Sequence, residues 1–369
     1  MSARPELSAA AHPLRPISFG NPDVTIERRD DGTIYLRPKL KLADYPARIT
    51  DRLQHWARAE PSRVFMAERA AGGGWRKITY AQLLETTRHI ASALLGRGLS
   101  AERPLVILSG NSIDHALIAF GALYAGIPFC PVSPAYSLVS RDYGKLGFVI
   151  KLLTPGLVFV DDAGKFADAL LANVAPNVEI AASRGAVPGR AVTRLADLMA
   201  TPEDPRLDAI NGAIGPDTIA KFLLTSGSTG NPKAVINTQR MICANQMMLR
   251  ETLAFLKDEP PVIVDWLPWN HTFGGNHNVG LTLYNGGSMY LDEGKPTPGG
   301  IEETVQNLRE ISPTVYFNVP KGYESLLPYL RDDATLRAKF FGRLHAMFFS
   351  GAALSPFIWN SLDALAVQE

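Results

Sequence analysis

Residues 223–235, LLTSGSTGNPKAV, contain a glycine-rich loop (residues 225–233) on which the interpretation of the whole chain depends. An apolar run at residues 220–224 leads into small hydroxyl and glycine residues, and Pro232 and Lys233 close the loop. Glycines permit positive φ angles, which turn backbone N–H groups toward one point. Hydroxyls and a lysine add donors for anionic oxygens. The stretch therefore predicts a buried strand ending in a phosphate-holding loop, although a surface turn has a similar composition.

Two well-known loops do not fit this spacing. A Walker A loop ends in Gly-Lys-Ser/Thr, whereas Lys233 follows Pro232 and precedes Ala234. A hydrolase nucleophile elbow needs Gly-x-Ser-x-Gly, and Gly227 and Gly230 are one position too close for it. If the glycine-rich loop holds phosphate, it belongs to a different class.

The loop resembles the signature of the adenylate-forming enzymes, which include acyl-CoA synthetases, luciferases and peptide-synthetase adenylation domains. Their common form is Thr-Ser-Gly-(Ser/Thr)-Thr-Gly-x-Pro-Lys-Gly, and only Ala234 departs from it here. The resemblance implies that the loop binds ATP through Thr225, Ser226, Gly227, Ser228, Thr229, Gly230 and Lys233. It also implies catalytic roles for Lys233 and Thr229, with Thr229 as a ligand of Mg²⁺.

The composition is ordinary for a soluble globular protein. The chain has 369 residues, of which 46% are hydrophobic and 20% charged. A formal net charge of +1 gives no electrostatic reason to expect nucleic acid or an anionic membrane as partner. Cys130 and Cys243 are far apart, which argues against a disulfide framework and a thiolate metal site. Neither a secretory signal nor a membrane span is predicted, so we expect a cytoplasmic location.

Strand and helix patterns alternate through the first half of the chain. Thr79 and Gln82 have the spacing of a capping box, which predicts that a helix begins there. The following strand, helix, strand and strand are predicted at residues 105–108, 113–124, 128–132 and 157–160. This alternation predicts an α/β fold with a doubly wound parallel sheet and helices on both faces.

The chain is predicted to have three segments. Residues 1–45 lack helical periodicity and carry an Asp-Asp-Gly turn signal at residues 30–32, which predicts an arm with one hairpin. The polar stretch 201–215 is the best internal boundary. It separates a first α/β subdomain, residues 46–210, from a second subdomain, residues 211–369, that contains the glycine-rich loop.

Residues 264–277, VDWLPWNHTFGGNH, form a second group of candidates. A buried strand is expected to end in a loop that presents Trp269, His271 and Phe273. Two histidines six residues apart, His271 and His277, suggest a metal site, but the spacing does not match one helical face and no close Cys or carboxylate completes a shell. A structural role is the simpler interpretation of His277. In the resemblance, His271 belongs to a Leu-Pro-x-x-His motif whose ring gates the junction of ATP and the acyl carboxylate.

Residues 313–321 and 346–356 form the third group of candidates. Each is predicted to begin as a strand, and ligands usually bind at strand ends in open α/β sheets. In the resemblance, the second segment flanks the adenine through Gly351, Ala352 and Ala353. The resemblance also places His271, Tyr316, Lys321, Ser350 and Gly351 near the acid. Trp269, Phe273, Tyr316 and Phe349 could stack on an aromatic acid or could equally be core residues.

The resemblance implies an ATP-dependent ligase. A carboxylic acid would form an acyl-adenylate with release of pyrophosphate, and the acyl group would then pass to coenzyme A with release of AMP. ATP, Mg²⁺ and coenzyme A are the implied cofactors and cosubstrates, and a homodimer is left open. Residues 31–36, 234–241 and 265–278 further resemble bacterial feruloyl-CoA synthetases, which implies ferulate or a related hydroxycinnamate.

Several alternatives remain open from the sequence. The acid could be a benzoate or a fatty acid, or the protein could bind nucleotide without catalysis, although Lys233 and His271 argue against loss of the chemistry. The family also carries a Tyr-Gly-x-Thr-Glu motif, a ribose-binding Asp and a C-terminal domain with a lysine, none of which occurs before Glu369. We therefore expect the front part of a longer ligase, with negligible turnover by itself.

Overall fold

The computed structural model describes residues 15–225 and 230–369. The strands are β1 (Val24–Arg28), β2 (Ile34–Pro38), β3 (Val64–Arg69), β4 (Trp75–Thr79), β5 (Leu105–Ile107), β6 (Phe129–Pro131), β7 (Leu157–Asp162), β8 (Glu179–Arg184), β9 (Thr193–Arg194), β10 (Ile219–Thr225), β11 (Lys233–Thr238), β12 (Val262–Asp265), β13 (Ser288–Leu291), β14 (Val315–Asn318) and β15 (Ala346–Phe349).

The α-helices are α1 (Thr50–Ala59), α2 (Tyr80–Leu95), α3 (Ile113–Tyr124), α4 (Ala135–Leu138), α5 (Gly144–Leu153), α6 (Ala167–Asn173), α7 (Leu195–Met199), α8 (Leu207–Ala213), α9 (Gln239–Thr252), α10 (Val279–Tyr284), α11 (Ile301–Glu310), α12 (Pro320–Asp332), α13 (Ala334–Phe341) and α14 (Pro356–Ala366). Ala254–Lys257 forms a 3₁₀ turn and Phe273–Asn278 forms a π-helical turn. Within the described ranges, no helix combines the length and apolar character that crossing a membrane requires.

The chain folds as two compact units. The larger unit, Gly20–Asp292, contains the β1–β2 hairpin, a seven-stranded sheet in the order β11-β10-β6-β5-β7-β8-β9 and a four-stranded sheet in the order β12-β13-β3-β4. The smaller unit comprises residues 293–369 with residues 15–19 of the described chain, and it contains the parallel pair β14–β15. The prediction of an α/β fold with largely parallel sheets flanked by helices is confirmed.

Helices cover both faces of the seven-stranded sheet. Successive side chains of a strand point to opposite faces. Leu105 and Ile107 of β5 therefore pack in the cluster that includes α2 and α3, whereas Val106 packs in the cluster that includes α5 and α6. All strands of this sheet are parallel except β11, which is antiparallel to β10 at the edge. The sheet thus has a rigid two-sided core, with the glycine-rich loop at its edge.

The helices α2 and α3 follow the sequence pattern closely. Thr79 Oγ1 accepts a hydrogen bond from the Gln82 N–H at 3.3 Å, and Gln82 Oε1 accepts one from the Thr79 N–H at 2.9 Å. The predicted capping box is therefore present, and α3 begins and ends at the predicted residues. A Cβ at Gly121 would lie 2.4 Å from Ile90 Cγ2, so the close approach of the two helices requires glycine.

Other local predictions have mixed outcomes. The predicted N-terminal hairpin is present, with Gly32 in its turn at φ +85°. The stretch 201–215, expected to be irregular, contains α8, in which buried Asn211 donates to the Tyr124 carbonyl oxygen at 2.9 Å. The division predicted at residue 210 lies inside the larger unit. Strand β11 was not predicted, because its exposed edge position leaves it without an alternating buried face.

We expect Thr79→Ala to lower the free energy of unfolding by about 1 kcal/mol, because it removes the side-chain acceptor of the capping box. Thr86→Ala, in the interior of the same helix, is the matched control and should be neutral or slightly stabilising, since alanine is the better helix former. Urea unfolding of both variants measures the difference. Equal effects of the two substitutions would contradict a capping role.

Candidate functional site

The glycine-rich loop joins the two strands at the edge of the seven-stranded sheet. Thr225 of β10 lies opposite Lys233 of β11 in the last residue pair before the loop, and both are exposed. Gly230 has φ +84°, a left-handed conformation that glycine adopts without strain. The predicted site residues Ser226, Gly227, Ser228 and Thr229 lie outside the described residues. Their roles, and the Mg²⁺ ligand among them, stay predictions.

His271 lies in an exposed turn after β12. Its N–H donates to the Pro268 carbonyl oxygen at 3.1 Å, and its Nδ1 accepts from the Phe273 N–H at 3.3 Å. With Nδ1 as acceptor, the neutral ring carries its proton on Nε2. Phe273 is half-buried, and its ring meets the His277 ring edge-on at 5.5 Å between centroids. The turn itself therefore orients the His271 ring and leaves it accessible.

Trp269 was expected to be presented by this loop, but its side chain is buried, with 5% exposed. Its ring lies edge-on to His115 at 5.0 Å between centroids, and the Trp269 backbone N–H donates to Asn111 Oδ1 at 3.0 Å. Burying the large indole area is favourable enough to draw the ring into the core. Trp269 thus anchors the turn from inside, and contact with the acid stays a prediction.

His277 contacts the side chain of its neighbour Asn278. His277 Nδ1 lies 2.8 Å from Asn278 Oδ1, and burial lowers the pKa of His277. Across residues 15–225 and 230–369, no group of three or more His, Cys, Asp or Glu side chains is arranged to hold a metal ion. These contacts support the structural interpretation of His277.

Tyr316 lies inside the smaller unit. Its side chain has 1% exposed, and its hydroxyl accepts a hydrogen bond from Asn318 Nδ2 at 3.0 Å. Its ring meets those of Tyr323 and Phe340 edge-on, at 5.8 Å and 5.1 Å between centroids. Tyr316 therefore belongs to an aromatic core in this structure, and its predicted contact with the acid stays a prediction.

The other predicted residues of the smaller unit lie at its surface. Lys321, in the first turn of α12, pairs with Glu324 at 3.0 Å. The Ser350 N–H donates to the Asn318 carbonyl oxygen at 3.3 Å, and Gly351 has φ +89°. The exposed residues of the turn after β15 are Ser350, Gly351, Ala352 and Ala353. Small side chains and a positive φ leave this backbone open to a flat ligand.

Two buried charged residues were missed in the sequence. Lys221 of β10 has 7% exposed, and its Nζ donates to the Gly275 carbonyl oxygen at 2.9 Å. Asp265, the last residue of β12, has 1% exposed, and its Oδ1 accepts from the Leu267 N–H at 3.2 Å. Burial lowers the pKa of Lys221 to about 7 and raises the pKa of Asp265 to about 7. The sequence signal that could have identified them is a charged residue within each otherwise apolar strand.

Lys221 lines a cavity of about 60 Å³ whose other walls are mostly apolar. Ile242, Phe129 and Trp269 contribute to these walls, together with His115. Burial lowers the pKa of His115 to about 4, although its Nδ1 lies 2.9 Å from the Gly110 carbonyl oxygen. Apolar surroundings disfavour the charged forms of both bases. The cavity thus gives Lys221 little compensation for its charge beyond the Gly275 carbonyl.

Comparisons with known proteins agree on one family. A family model described as AMP-binding enzyme matches residues 53–368. Long-chain-fatty-acid–CoA ligase ACSBG1 of Bos taurus is 26% identical over 273 residues, which are 71% of this chain and 36% of that protein. Long-chain-fatty-acid–AMP ligase FadD23 of Mycobacterium tuberculosis (strain CDC 1551 / Oshkosh) is 28% identical over 212 residues, which are 56% of this chain and 34% of that protein. The chain spans about a third of the length of these relatives.

A solved structure supports the same fold. The complex of VinN with L-aspartate superposes with a TM-score of 0.66 at 22% sequence identity. The match covers 88% of this chain and 74% of that chain. The α/β architecture is therefore shared with a known structure over most of the chain described here.

We expect Asp265→Asn to remove a pH-dependent loss of stability. A carboxyl with a folded pKa of about 7 and an unfolded pKa of about 4 binds more protons in the folded state, so stability falls as the pH rises between these values. Asparagine keeps an acceptor for the Leu267 N–H but does not ionise. From pH 5 to pH 8 the variant should gain on the order of 2 kcal/mol relative to wild type.

Urea unfolding at both pH values measures this gain, with Asp258→Asn as the control for an exposed carboxyl. The control should differ from wild type by the same free energy at both pH values. A pH-independent difference for Asp265→Asn would show that the buried carboxyl titrates at its ordinary pKa.

Proposed function

Because this chain belongs to the AMP-binding enzyme family, we propose that its glycine-rich loop holds the phosphates of ATP while a carboxylic acid forms an acyl-adenylate. The observation that supports this proposal is the β10–β11 hairpin. Strand pairing fixes Lys233 opposite Thr225 at the mouth of the loop, and the positive φ of Gly230 turns the backbone there. An exposed ammonium beside small hydroxyls is suited to an anionic phosphate.

Adenylate formation depends on positioning the carboxylate and ATP rather than on proton transfer. A carboxylate oxygen attacks the α-phosphorus of ATP, and the bond to the bridging oxygen of pyrophosphate breaks. A carboxylate is already ionised at neutral pH, so no general base is needed. Two anions must instead be held in line while the charge on the leaving pyrophosphate is neutralised. We assign this neutralisation to Lys233 and the loop hydroxyls.

Mg²⁺ is proposed at the same loop. This ion prefers oxygen ligands and is usually held by one or two protein oxygens together with substrate phosphates. The exposed Thr225 hydroxyl at the loop mouth fits that preference, and Thr229 is the proposed ligand from the sequence. The ion would add positive charge where pyrophosphate departs.

A second step to coenzyme A is part of the proposal. The thiol sulfur of coenzyme A attacks the acyl carbon of the adenylate, and the bond to the AMP oxygen breaks. One relative is named a CoA ligase and another an AMP ligase. We place this protein with the CoA ligases because of its resemblance to feruloyl-CoA synthetases at residues 265–278.

For the acid, we propose a hydroxycinnamate such as ferulate. Accessible His271 and half-buried Phe273 lie two residues apart in one turn, so a ring at this position can stack on an aromatic acid while the imidazole faces its carboxylate. A fatty acid is the second candidate, and the names of both relatives favour it.

We expect Lys233→Ala to lower kcat/KM for ATP by roughly 100-fold, the size of effect found when one transition-state donor is lost. The assay is acid-dependent exchange between ATP and pyrophosphate in the full-length protein. Because Lys233 is exposed, its removal should change the free energy of unfolding by less than about 0.5 kcal/mol.

Lys257→Ala is the matched control, since Lys257 is an exposed lysine in the 3₁₀ turn far along the chain from the loop. It should leave the exchange rate unchanged. Similar exchange rates in the two variants would exclude the loop lysine from phosphate binding.

We expect coenzyme A-dependent AMP release to favour ferulate and 4-coumarate over benzoate and decanoate by at least about tenfold in kcat/KM, since pocket contacts to a matched acid are worth one to three kcal/mol. Phe273→Ala should reduce this preference. A preference for decanoate would instead select the fatty-acid candidate. ATP binding without release of AMP for any acid would favour a non-catalytic nucleotide-binding protein.

A further inference from the structure

The π-helical turn Phe273–Asn278 begins two residues after His271. The Gly275 N–H donates to the His271 carbonyl oxygen at 2.9 Å, so the histidine and the turn form one continuous piece of backbone. A π-helical turn has wider hydrogen-bonded rings than an α-helix, is rare and is frequently found at functional sites. Its geometry has to be maintained by contacts from outside the turn.

Three polar side chains supply such contacts. Lys221 Nζ donates to the Gly275 carbonyl oxygen at 2.9 Å, and Gln246 Nε2 donates to the Asn276 carbonyl oxygen at 2.9 Å. Asn276 Nδ2 in turn donates to Asn237 Oδ1 at 2.9 Å. We name Lys221, Asn237 and Gln246 the clamp. Its members thus contact two successive residues of the turn.

The clamp residues come from the elements that surround the glycine-rich loop. Lys221 lies on β10, which enters the loop, and Asn237 lies on β11, which leaves it. Gln246 lies on α9, which follows β11. Direct hydrogen bonds therefore connect the two loop strands to the π-helical turn that comes after His271.

Packing within the turn is equally tight. A Cβ at Gly274 would lie 2.4 Å from the Leu267 carbonyl oxygen, and a Cβ at Gly275 would lie 2.1 Å from the Trp269 carbonyl oxygen. The two glycines thus let the turn press against the backbone that precedes it. Lys221 donates to the carbonyl oxygen of the second of these glycines, Gly275.

Burying the Lys221 ammonium group in this space is energetically unfavourable. The cavity beside it is mainly apolar, and an apolar side chain of similar length would avoid the cost of burying an ammonium group. Residues that break a packing rule in this way concentrate at functional sites. The hydrogen bond to Gly275 is the contact that an apolar side chain would not provide.

We propose that Lys221 is a positioning residue, which together with Asn237 and Gln246 keeps the His271 turn in register with the glycine-rich loop. This inference rests on the proposed function, in which the turn meets the acid and the loop meets ATP. Small displacements between two reactants reduce the rate of their reaction steeply. Loss of Lys221 should therefore affect the chemical step more than the binding of either substrate.

The structural part of the inference is tested by hydrogen exchange on the full-length protein. Lys221→Met should increase amide exchange in residues 273–278 by at least about tenfold, since the turn loses its link to β10. Ile242→Val is the control, because it enlarges the same cavity but keeps the hydrogen bond to Gly275. Equal protection of these residues in wild type and Lys221→Met overturns the inference, whatever the activity of the protein.

The functional part is tested by the exchange of ATP with pyrophosphate in the presence of the acid that wild type uses. Lys221→Met should lower kcat at least tenfold and change KM for ATP and acid less than twofold. Lys221→Arg should recover most of kcat. Arginine keeps a charged hydrogen-bond donor, and the cavity beside residue 221 can accommodate the larger guanidinium group. A fall in kcat that Lys221→Arg and Ile242→Val share would reduce Lys221 to a packing role.

Failure of this inference is distinguishable from failure of the proposed function. If wild type shows no exchange with any acid, the proposed function fails, and the hydrogen-exchange result alone decides whether the clamp holds the turn. If wild type is active and Lys221→Met matches it in kcat, the proposed function stands and the positioning role is excluded.

Discussion

The antiparallel pairing of β11 with β10 is the interaction on which the candidate site depends. It adds the one reversed strand to a parallel sheet and returns the chain to the edge it has just left. Lys233 is therefore fixed by the backbone ladder of this strand pair, and Asn237 on the same strand reaches the turn after His271. One strand pair thus supports both a charged group for phosphate and a contact to the segment proposed for the acid.

The larger unit accepts two buried charges of opposite sign without pairing them. Lys221 donates to the Gly275 carbonyl oxygen, and its Nζ lies 5.7 Å from the centre of the Phe129 ring. Asp265 accepts from the Leu267 N–H and is also stabilised by the Asn278 side chain. Burial moves the pKa of both Lys221 and Asp265 to about 7. Desolvation favours the neutral form of each side chain, which relieves part of the cost of its burial. The hydrophobic clusters on the two faces of the seven-stranded sheet have to offset the loss of folding free energy caused by these residues. A destabilising buried charge is expected where function requires that side chain and the rest of the core is stable enough to retain the fold.

The sequence predicted features set by local chemistry and missed those set by distant contacts. The α3 boundaries and the Thr79 cap depend on residues within one or two turns, so their patterns could be recognised. Lys221 reaches a carbonyl 54 residues away, and the burial of Trp269 depends on packing against His115 of helix α3. The sequence around Lys221 and Trp269 gives no indication of either contact. The glycine-rich loop was found because its chemistry is contained in one short stretch, although part of it lies outside the described residues.

The glycine pair beside His271 has a consequence for attempts to redesign the acid preference. Any side chain at Gly274 or Gly275 would collide with a backbone carbonyl, so neither position can be randomised without moving the turn itself. Phe273 precedes the pair, and its side chain is only half-buried. Libraries that vary Phe273 and hold the glycines constant should contain many folded members, whereas libraries built across the whole turn should contain few.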